Sequence, residues 1–526
     1  MTSRENPFNM ATSRRGLMAG GAAIGGMLLA GQAGRVLAEP GPAQTIRLSP
    51  EAAERALPAR FLGYNSPGTY IPYEMPAFVP AVTALAPQFL RFPGGTVGNY
   101  YNWHTGYMEV PDAGDAGSIY RKQLIHMMIP MMKRMHPEGV WVEDWQKIAD
   151  TVGADLVIEA NIETSTPEEQ AAWFADMQSK GVRPEFVEMG TEFFIAMFDD
   201  MGRARFPDPE TTTRFTKQFY DAIRPKLPSG AKVAVQTASS AFEMLKAPAP
   251  DANITQRRTW AWDQALKPEP WFDAVTMHLY PTEVGAAGMD LFKKLPGSAE
   301  DILGAMVARA DGGFDRGISD ISHRVPGKEI WLTEYGAFDP AQTFYNLPMQ
   351  FNGLWLHQVT RELLTIMRYP QITMACYHSL MANGNLMSTF ATVGGELKPI
   401  NAAAVQHWFF EASRGPGCTW QRMAIEGATQ VTAHGKIAGE TYWDIDAGIY
   451  RNGSRHTLFI HNVSKTPRRV NLSKIAAPNA ALSAETIATP DLLVNLELGT
   501  PIPQPLAVQP ALEVPAYSIT KVVWSA

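Results

Sequence analysis

Eight short apolar segments are distributed along residues 60–380, and segments with helical periodicity, such as 142–154 and 167–181, lie between most of them. Each apolar segment has the length and the β-branched and aromatic content of a buried strand. Strands that alternate with helices predict a parallel sheet, and eight of them predict closure into a (β/α)8 TIM barrel. The segments are FLGYN (61–65), FLRFPGG (89–95), DLVIEANI (155–162), FVEMGTE (186–192), KVAVQTA (232–238), FDAVTMHLY (272–280), EIWLTEYG (329–336) and ITMACYHSL (372–380).

An open, doubly wound sheet is the alternative fold. It requires a glycine-rich phosphate turn after its first strand, and FLGYNSPGTY (61–70) matches that pattern poorly. The polar residues favour the barrel, because nearly every apolar segment becomes polar at its carboxyl end and those ends converge on the catalytic face of a barrel. These residues are Asn65, Arg91, Asn161, Glu192, His278, Glu334 and His378.

The sequence pattern changes after about residue 415, where short alternating segments such as 448–464 and 511–524 replace the helical periodicity. Pro, Asn and Gly turns separate these segments, which predicts a small antiparallel β-sandwich. TIRLSP (45–50) is a candidate additional strand. We therefore expect a linker with this strand at 39–59, the (β/α)8 barrel at 60–414 and the β-sandwich at 415–526.

Residues 1–38 have the pattern of a bacterial export signal. The twin arginines Arg14 and Arg15 precede a short Gly/Ala/Leu segment (19–31) and small residues at 36–38. The alternative is a basic N-terminus with an apolar anchor, but the segment is short and glycine-rich for a span of about 20 residues. We expect twin-arginine export to the periplasm or medium, and no membrane association once the signal is cleaved.

The net charge and composition limit the kinds of ligand and partner that the protein is expected to bind. The net charge of −7 provides no basic surface for nucleic acid. Cys376 and Cys418 permit one disulfide in an oxidising compartment, although two buried thiols are favoured. We find no zinc spacing, no Gly-x-Ser-x-Gly motif and no phosphate loop, so we expect neither a metal nor a cofactor. The sequence does not predict the oligomeric state.

Two glutamates end strands that face each other across the mouth of the predicted barrel. Glu192 ends the fourth strand and Glu334 ends the seventh. Glycosidic bond cleavage needs such a pair, because one carboxylic acid protonates the leaving oxygen while the other carboxylate supports the anomeric carbon. If their environments give the two carboxyl groups different pKa values, that difference decides which one acts as the acid and which as the nucleophile. Salt-bridged structural carboxylates are the alternative interpretation.

Five motifs resemble those of a known group of enzymes. LRFPGGTVGNYYNW (90–103), EANIETSTPEEQAAWF (159–174), VEMGTEFF (187–194), VTMHLYP (275–281) and IWLTEYG (330–336) occur in the order seen in the clan A glycoside hydrolases. They are most similar to the α-L-arabinofuranosidases of family 51, with similarity to the β-glucuronidases and heparanases of family 79. The resemblance covers residues 60–410, and the trailing sandwich matches that clan's accessory domain.

The resemblance implies roles for individual residues. Glu192 would be the acid/base and Glu334 the nucleophile, with Arg91 holding the nucleophile ionised. His278 and Tyr280 fall where the clan keeps a histidine and an aromatic residue near the nucleophile. Asn65 and Asn161 are candidates for binding sugar hydroxyls, although asparagines at strand ends often only cap the chain.

Thr191 departs from the clan pattern, which usually has an asparagine before the acid/base residue. The asparagine amide binds the sugar 2-hydroxyl, and that contact strengthens in the transition state. A threonine there indicates an altered sugar, a substitute contact from another loop or a weakened enzyme.

Two loop segments after the second strand are candidate substrate contacts. Tyr100, Tyr101, Trp103 and Tyr107 are candidates for stacking on sugar rings, with core packing as the alternative. The methionine-rich segment 126–139 suits copper or a loop that covers the catalytic mouth, and the loop is favoured.

The sequence therefore predicts an exported retaining O-glycoside hydrolase that acts on a polysaccharide or oligosaccharide. A periplasmic carbohydrate-binding barrel without catalysis is the first alternative, motivated by Thr191. A polysaccharide lyase is the second, motivated by the tyrosines and histidines near the mouth.

Overall fold

The computed structural model describes most of the chain beyond residue 42, and the expected signal at 1–38 lies outside the described residues. Within the described part, no helix combines the length and apolar character needed to cross a membrane. The described residues are 43–110, 122, 124–193, 205–237, 249–251, 257–258, 260–262, 267–280, 298–336, 353–381, 388–393, 396–399, 402–433, 440–477, 480–492, 503–508 and 511–525.

Strands and helices follow each other along the chain, and both are numbered in chain order. The strands are β1 (Gln44–Ala56), β2 (Leu62–Asn65), β3 (Phe89–Phe92), β4 (Tyr101–Asn102), β5 (Tyr107–Met108), β6 (Asp155–Ala160), β7 (Phe186–Met189), β8 (Lys232–Gln236), β9 (Ala274–Leu279), β10 (Glu329–Tyr335), β11 (Ile372–His378), β12 (Phe390–Val393), β13 (Glu396–Pro399), β14 (Thr419–Glu426), β15 (Gln430–Thr432), β16 (Thr441–Trp443), β17 (Ile445–Asn452), β18 (Arg455–Asn462), β19 (Arg468–Asn471), β20 (Ser483–Ala488), β21 (Gln504–Leu506), β22 (Leu512–Val514) and β23 (Ser518–Ser525). The helices are α1 (Phe78–Leu85), α2 (Ile129–Met135), α3 (Val142–Val152), α4 (Pro167–Ser179), α5 (Pro209–Ile223), α6 (Ala299–Ala308), α7 (Phe314–Arg324), α8 (Gly353–Ile366) and α9 (Ala402–Ser413).

Eight parallel strands close into a barrel in the order β10-β11-β2-β3-β6-β7-β8-β9. Each strand corresponds to one of the eight predicted segments, and their order around the barrel follows the chain. The (β/α)8 prediction is confirmed. The fourth barrel strand is β7 and the seventh is β10, so the two glutamates emerge at the same carboxyl end, from strands three positions apart in the barrel.

The two helices predicted from periodicity are present as α3 and α4. Helix α4 begins where the Thr166 hydroxyl accepts a hydrogen bond from the Glu169 amide, with Pro167 in the first turn. Helix α3 ends at Gly153, whose φ of 72° is the left-handed conformation that glycine adopts readily.

The barrel interior changes from apolar to charged along the strands. Its lower part is a cluster of apolar side chains, Phe89, Val157, Ala234, Ala274, Trp331, Met374 and Cys376. Side chains alternate between the two faces of a strand, so the residue two positions after a floor residue also points into the barrel. In β3, β6 and β7 these positions hold Arg91, Glu159 and Glu188, all of them buried. The charged layer therefore lies above an apolar floor.

Strand β10 breaks this alternation. Trp331 pairs with Thr276 and Glu334 pairs with His278, so three steps along β10 match two steps along β9. One extra residue in a strand is the pattern of a β-bulge, which turns consecutive side chains towards the same side. Thr333 and Glu334 consequently both reach the polar layer.

The C-terminal strands form a nine-stranded, mostly antiparallel sheet in the order β21-β20-β23-β18-β17-β14-β1-β19-β22. Strand β1 contains the candidate segment 45–50 and pairs antiparallel with β14 and parallel with β19. Apolar residues from both ends of this sheet, including Ile46, Val470 and Val522, form one buried cluster. The boundary at residue 415 stays a prediction.

The barrel and the C-terminal sheet belong to one compact unit, Ala43–Ala526. Phe409 of α9 stacks on Phe459 of β18 with ring centroids 4.1 Å apart. A polar chain also joins them, because His357 Nδ1 of α8 lies 2.9 Å from His461 Nε2 of β18. Cys376 and Cys418 are free, buried thiols, as favoured from the sequence.

Candidate active site

The chain after β7 makes a tight turn that presents Glu192. Gly190 and Glu192 have φ values of 66° and 59°, in the left-handed region. That conformation disfavours residues with a side chain by about 1–2 kcal/mol, so the surroundings must hold Glu192 in it. Asn99 does so through Thr191: its amide donates to the Thr191 carbonyl at 2.7 Å, and its carbonyl accepts from the Thr191 N–H at 3.2 Å.

Glu192 and Glu334 lie next to each other at the mouth of the barrel. An oxygen of each carboxylate and a ring nitrogen of His278 all lie within 4.8 Å of one another. His278 Nδ1 is 2.8 Å from Glu192 Oε1 and 3.6 Å from Glu334 Oε2. The side chain of Glu192 is 11% exposed and that of Glu334 is 5% exposed, so the pair keeps a narrow opening to solvent.

Glu334 is held by hydrogen bonds on both oxygens. Arg91 Nη1 and Asn65 Nδ2 donate to Oε1 at 2.7 and 3.1 Å, and the Tyr280 hydroxyl donates to Oε2 at 2.5 Å. Burial alone would raise the pKa of Glu334, but His278, His378, Arg91 and the Tyr280 hydroxyl together hold it well below its ordinary value. Glu334 is therefore ionised at neutral pH, as a nucleophile must be.

Glu192 has fewer partners than Glu334 and is more exposed. The Thr96 hydroxyl donates to its Oε2 at 2.7 Å, and His278 Nδ1 contacts its Oε1. Thr96 lies in the 3-10 turn Thr96–Tyr100 that follows the Gly94–Gly95 pair after β3. The two carboxylates thus occupy different environments, which is the condition for dividing acid and nucleophile roles between them.

His278 bridges the two glutamates. Burial alone would lower the pKa of His278, but Glu334 and Glu192 raise it above its ordinary value. Its Nε2 lies 3.2 Å from the Thr333 hydroxyl, which donates to Glu188 Oε1 at 3.0 Å.

Sequence reasoning missed the buried glutamates Glu159 and Glu188. Arg91 Nε donates to Glu188 Oε2 at 2.5 Å, and Arg91 Nη2 is 3.3 Å from Glu159 Oε2. Burial raises the pKa of Glu159 well above its ordinary value despite the opposing charge of Arg91, so Glu159 holds a proton. The signal that could have found both residues is a glutamate at the penultimate position of a largely apolar strand.

The other predicted site residues fall into two groups. Asn65, Arg91, His278 and Tyr280 surround Glu334, and their binding of substrate stays a prediction. His378, noted only as a strand end, joins them with Nδ1 3.4 Å from Glu334 Oε2. Thr191 lies below the opening, where its hydroxyl accepts from Arg91 Nη2 at 3.2 Å.

Asn161 bonds to neighbouring parts of the chain, and its binding of a sugar hydroxyl stays a prediction. Its amide donates to the Tyr101 carbonyl and the Thr164 hydroxyl, and its carbonyl accepts from the Thr164 N–H. The side chain is buried, and its two bonds to Thr164 stabilise the turn after β6. Asn161 therefore caps the chain, which is the ordinary role of an asparagine at such a position.

The aromatic candidates near β4 are mostly structural. Tyr100 and Tyr101 are buried, and Tyr101 packs against Phe92 and Trp173, so neither stacks on a sugar. The Tyr107 hydroxyl donates to the carbonyls of residues 136 and 137. Trp103 is half-buried against His104, with ring centroids 3.8 Å apart, and its role in binding stays a prediction.

The methionine-rich segment forms a helical turn at Leu124–Met128 and then helix α2. Met132 is buried, and Met128 and Met131 pack against the same apolar cluster, whereas Met127 is exposed. These methionines fill an apolar gap beside the mouth, which is the common use of this residue.

Solved structures with the same fold include several arabinofuranosidases. They include the family 51 (GH51) enzyme of Xanthomonas axonopodis pv. citri (13% identity, 91% of this chain and 100% of that chain, TM-score 0.62). The family 51 enzyme AbfB of Bifidobacterium longum is similar as well (15% identity, 92% of this chain and 100% of that chain, TM-score 0.60). The α-L-arabinofuranosidase of Thermotoga maritima, solved with arabinose, is also similar (13% identity, 92% of this chain and 100% of that chain, TM-score 0.60). No family model and no curated protein matches the sequence. The resemblance expected from the motifs is confirmed at the level of the fold.

Proposed function

We propose that the protein is a retaining O-glycoside hydrolase acting on a polysaccharide or oligosaccharide. The observation that carries this proposal is the pair Glu192 and Glu334, with carboxylate oxygens within 4.8 Å of each other at the open end of the barrel. The carboxyl groups of retaining enzymes lie about 5–5.5 Å apart, whereas inverting enzymes leave about 6.5–9.5 Å for a water molecule. The short distance favours retention.

The two glutamates would act in two displacements. Glu334 attacks the anomeric carbon while Glu192 donates its proton to the leaving oxygen, so the glycosidic C–O bond breaks and a glycosyl ester of Glu334 forms. Glu192, now a carboxylate, then takes a proton from water. The resulting hydroxide equivalent attacks the anomeric carbon and releases Glu334.

The surroundings of Glu334 support its role as nucleophile. Arg91, Asn65 and Tyr280 donate to its two oxygens and hold it ionised and oriented. A protein that binds sugars without cleaving them can hold a glutamate with the same three donors. A carbohydrate-binding barrel therefore remains the second candidate. Thr191 favours that candidate, because its hydroxyl is bonded to Arg91 and does not replace an asparagine amide at the opening.

Arabinofuranosides are the first substrates to test, because the similar solved structures are named for that activity. The parent protein, Glu334→Gln and the control Glu329→Gln should be assayed on a panel of aryl glycosides and polysaccharides. Glu329 lies at the other end of β10 and pairs with Lys232, far from the mouth. We expect Glu334→Gln to lose at least about 10³-fold in kcat and Glu329→Gln to keep its activity.

Proton NMR of the first released anomer tests retention directly. A retained configuration, together with a 2-fluoro glycosyl label on Glu334 detected by mass spectrometry, would support the double displacement. An inverted first product would refute it. Sugar binding in calorimetry without turnover of any substrate by the parent protein would favour the carbohydrate-binding barrel.

Export is a separate proposal that rests on residues 1–38. Arg14 and Arg15 form the twin-arginine motif, and replacement of both by lysine should retain the uncleaved precursor in the cytoplasm. Cell fractionation followed by immunoblotting measures this outcome. Periplasmic protein with a processed N-terminus in the double variant would contradict the proposal.

A further inference from the structure

Thr333 occupies a position that the catalytic roles do not explain. The extra residue in β10 turns Thr333 and Glu334 towards the interior together, although adjacent strand residues normally face opposite sides. Thr333 is fully buried, and its hydroxyl contacts one residue of β9 and one of β7. The bulge therefore turns two side chains inward: the nucleophile Glu334, and Thr333, whose hydroxyl lies beneath the catalytic pair.

The contacts of Thr333 form a chain of hydrogen bonds with one direction. The Thr333 hydroxyl donates to Glu188 Oε1 at 3.0 Å, so its oxygen accepts from His278 Nε2–H at 3.2 Å. His278 Nδ1–H in turn donates to Glu192 Oε1 at 2.8 Å. Arg91 Nε donates to the second oxygen of Glu188. Each member therefore fixes the donor or acceptor role of the next.

We propose that Thr333 and Glu188 are positioning residues that hold His278 as a doubly protonated imidazolium between the acid/base Glu192 and the nucleophile Glu334. A neutral His278 has only one N–H, so either Glu192 or Thr333 would be left without a donor. The imidazolium keeps Nδ1–H directed at Glu192 and keeps positive charge 3.6 Å from Glu334 Oε2. This proposal deepens the role of the site and rests on the proposed hydrolase function.

Charged groups from four barrel strands, or from the turns after them, influence His278. Glu192 after β7 and Glu334 of β10 favour its charged form, while Arg91 of β3 disfavours it. His378 of β11 is a fourth neighbour, and burial lowers its pKa below the ordinary value. Glu188 reaches His278 only through Thr333. Removal of the Thr333 hydroxyl should therefore act on His278 without removing a charge.

Thr333→Val tests the chain, because valine keeps the shape of threonine and lacks the hydroxyl. Loss of one hydrogen bond to a charged group should lower the His278 pKa by about one to two units. The ring then loses its charge at lower pH than in the parent protein. Thr333→Ser keeps the hydroxyl and should behave as the parent protein. Glu188→Gln should lower the His278 pKa in the same direction.

The His278 pKa can be measured by NMR of ¹⁵N-labelled histidine side chains, with the signal assigned from His278→Asn. This readout does not require turnover, so it tests the chain even if the protein proves not to be a hydrolase. A lower His278 pKa in Thr333→Val and a parental value in Thr333→Ser would support the proposal. An unchanged His278 pKa in a folded Thr333→Val protein would overturn it, whatever the loss of activity.

Discussion

Replacement of Arg91 by methionine should destabilise the protein and impair the site together. The guanidinium lies 2.7 Å from Glu334 Oε1, 2.5 Å from Glu188 Oε2 and 3.3 Å from Glu159 Oε2, and all four side chains are buried. At an effective dielectric constant of about 20, one such contact near roughly 3 Å is worth about 5 kcal/mol before the cost of burying the charges is subtracted. Removal of one partner of a buried ion pair costs about 3–5 kcal/mol in total, because the other charge stays buried. We expect Arg91→Met to lie at the upper end of that range.

The pH dependence identifies the cause of this loss. Without Arg91 the buried carboxylates have raised pKa values in the folded state, so the penalty is fully present above those raised values, shrinks as the pH falls through them and is absent below the unfolded pKa of about 4.3. The same change should move the acid limb of kcat/KM to higher pH, because Glu334 becomes harder to ionise.

Urea unfolding followed by tryptophan fluorescence at several pH values measures the effect of Arg91→Met. Arg324→Met is the matched control, since Arg324 pairs with Asp320 on α7 with 17% of its side chain exposed. Its loss should cost less than about 1 kcal/mol. If Arg91→Met unfolds within about 1 kcal/mol of the parent protein at pH 7, the buried-charge reasoning is wrong.

Two further changes test the surroundings of Glu334 and the contact between barrel and sheet. Tyr280→Phe removes the hydroxyl bonded to Glu334 and should lower kcat/KM by about 10–100-fold. Tyr335→Phe, whose hydroxyl has no hydrogen-bond partner among the described residues, should leave kcat/KM unchanged. Burial lowers the pKa of His357 to about 3, with Arg361 adding to the shift. The unfolded chain then binds a proton that the folded chain does not, and unfolding free energy should fall by up to about 1.4 kcal/mol per pH unit from pH 6.5 towards 3. His357→Gln should flatten that slope in urea titrations, and an unchanged slope would contradict the assignment.

The eight barrel strands could be predicted from the sequence because their signal is local. A buried parallel strand needs a short apolar run, and its carboxyl end faces solvent and carries the polar residues. The positions of Glu192 and Glu334 at the fourth and seventh strands follow from that pattern and from the order of strands around a barrel. Their partners Arg91, Asn65 and Tyr280 follow for the same reason.

Other features depend on contacts between distant residues, and local periodicity carries no signal for them. Asn161 ends a strand like the others, yet its amide donates to Thr164 and to the Tyr101 carbonyl. The contact between His357 and His461 joins residues of two different regions of the chain, and only the packing of α8 against β18 creates it.

The apolar runs and their polar ends were therefore sufficient to determine the barrel and to locate the catalytic pair. The tertiary structure decided which side chains share that pair's environment. One extra residue in β10 sends Thr333 and Glu334 inward together, and the closed barrel brings Glu159 and Glu188 against Arg91. The physical reason is that strand register and burial of charge are set by pairing between strands, whereas apolar periodicity is set within each strand.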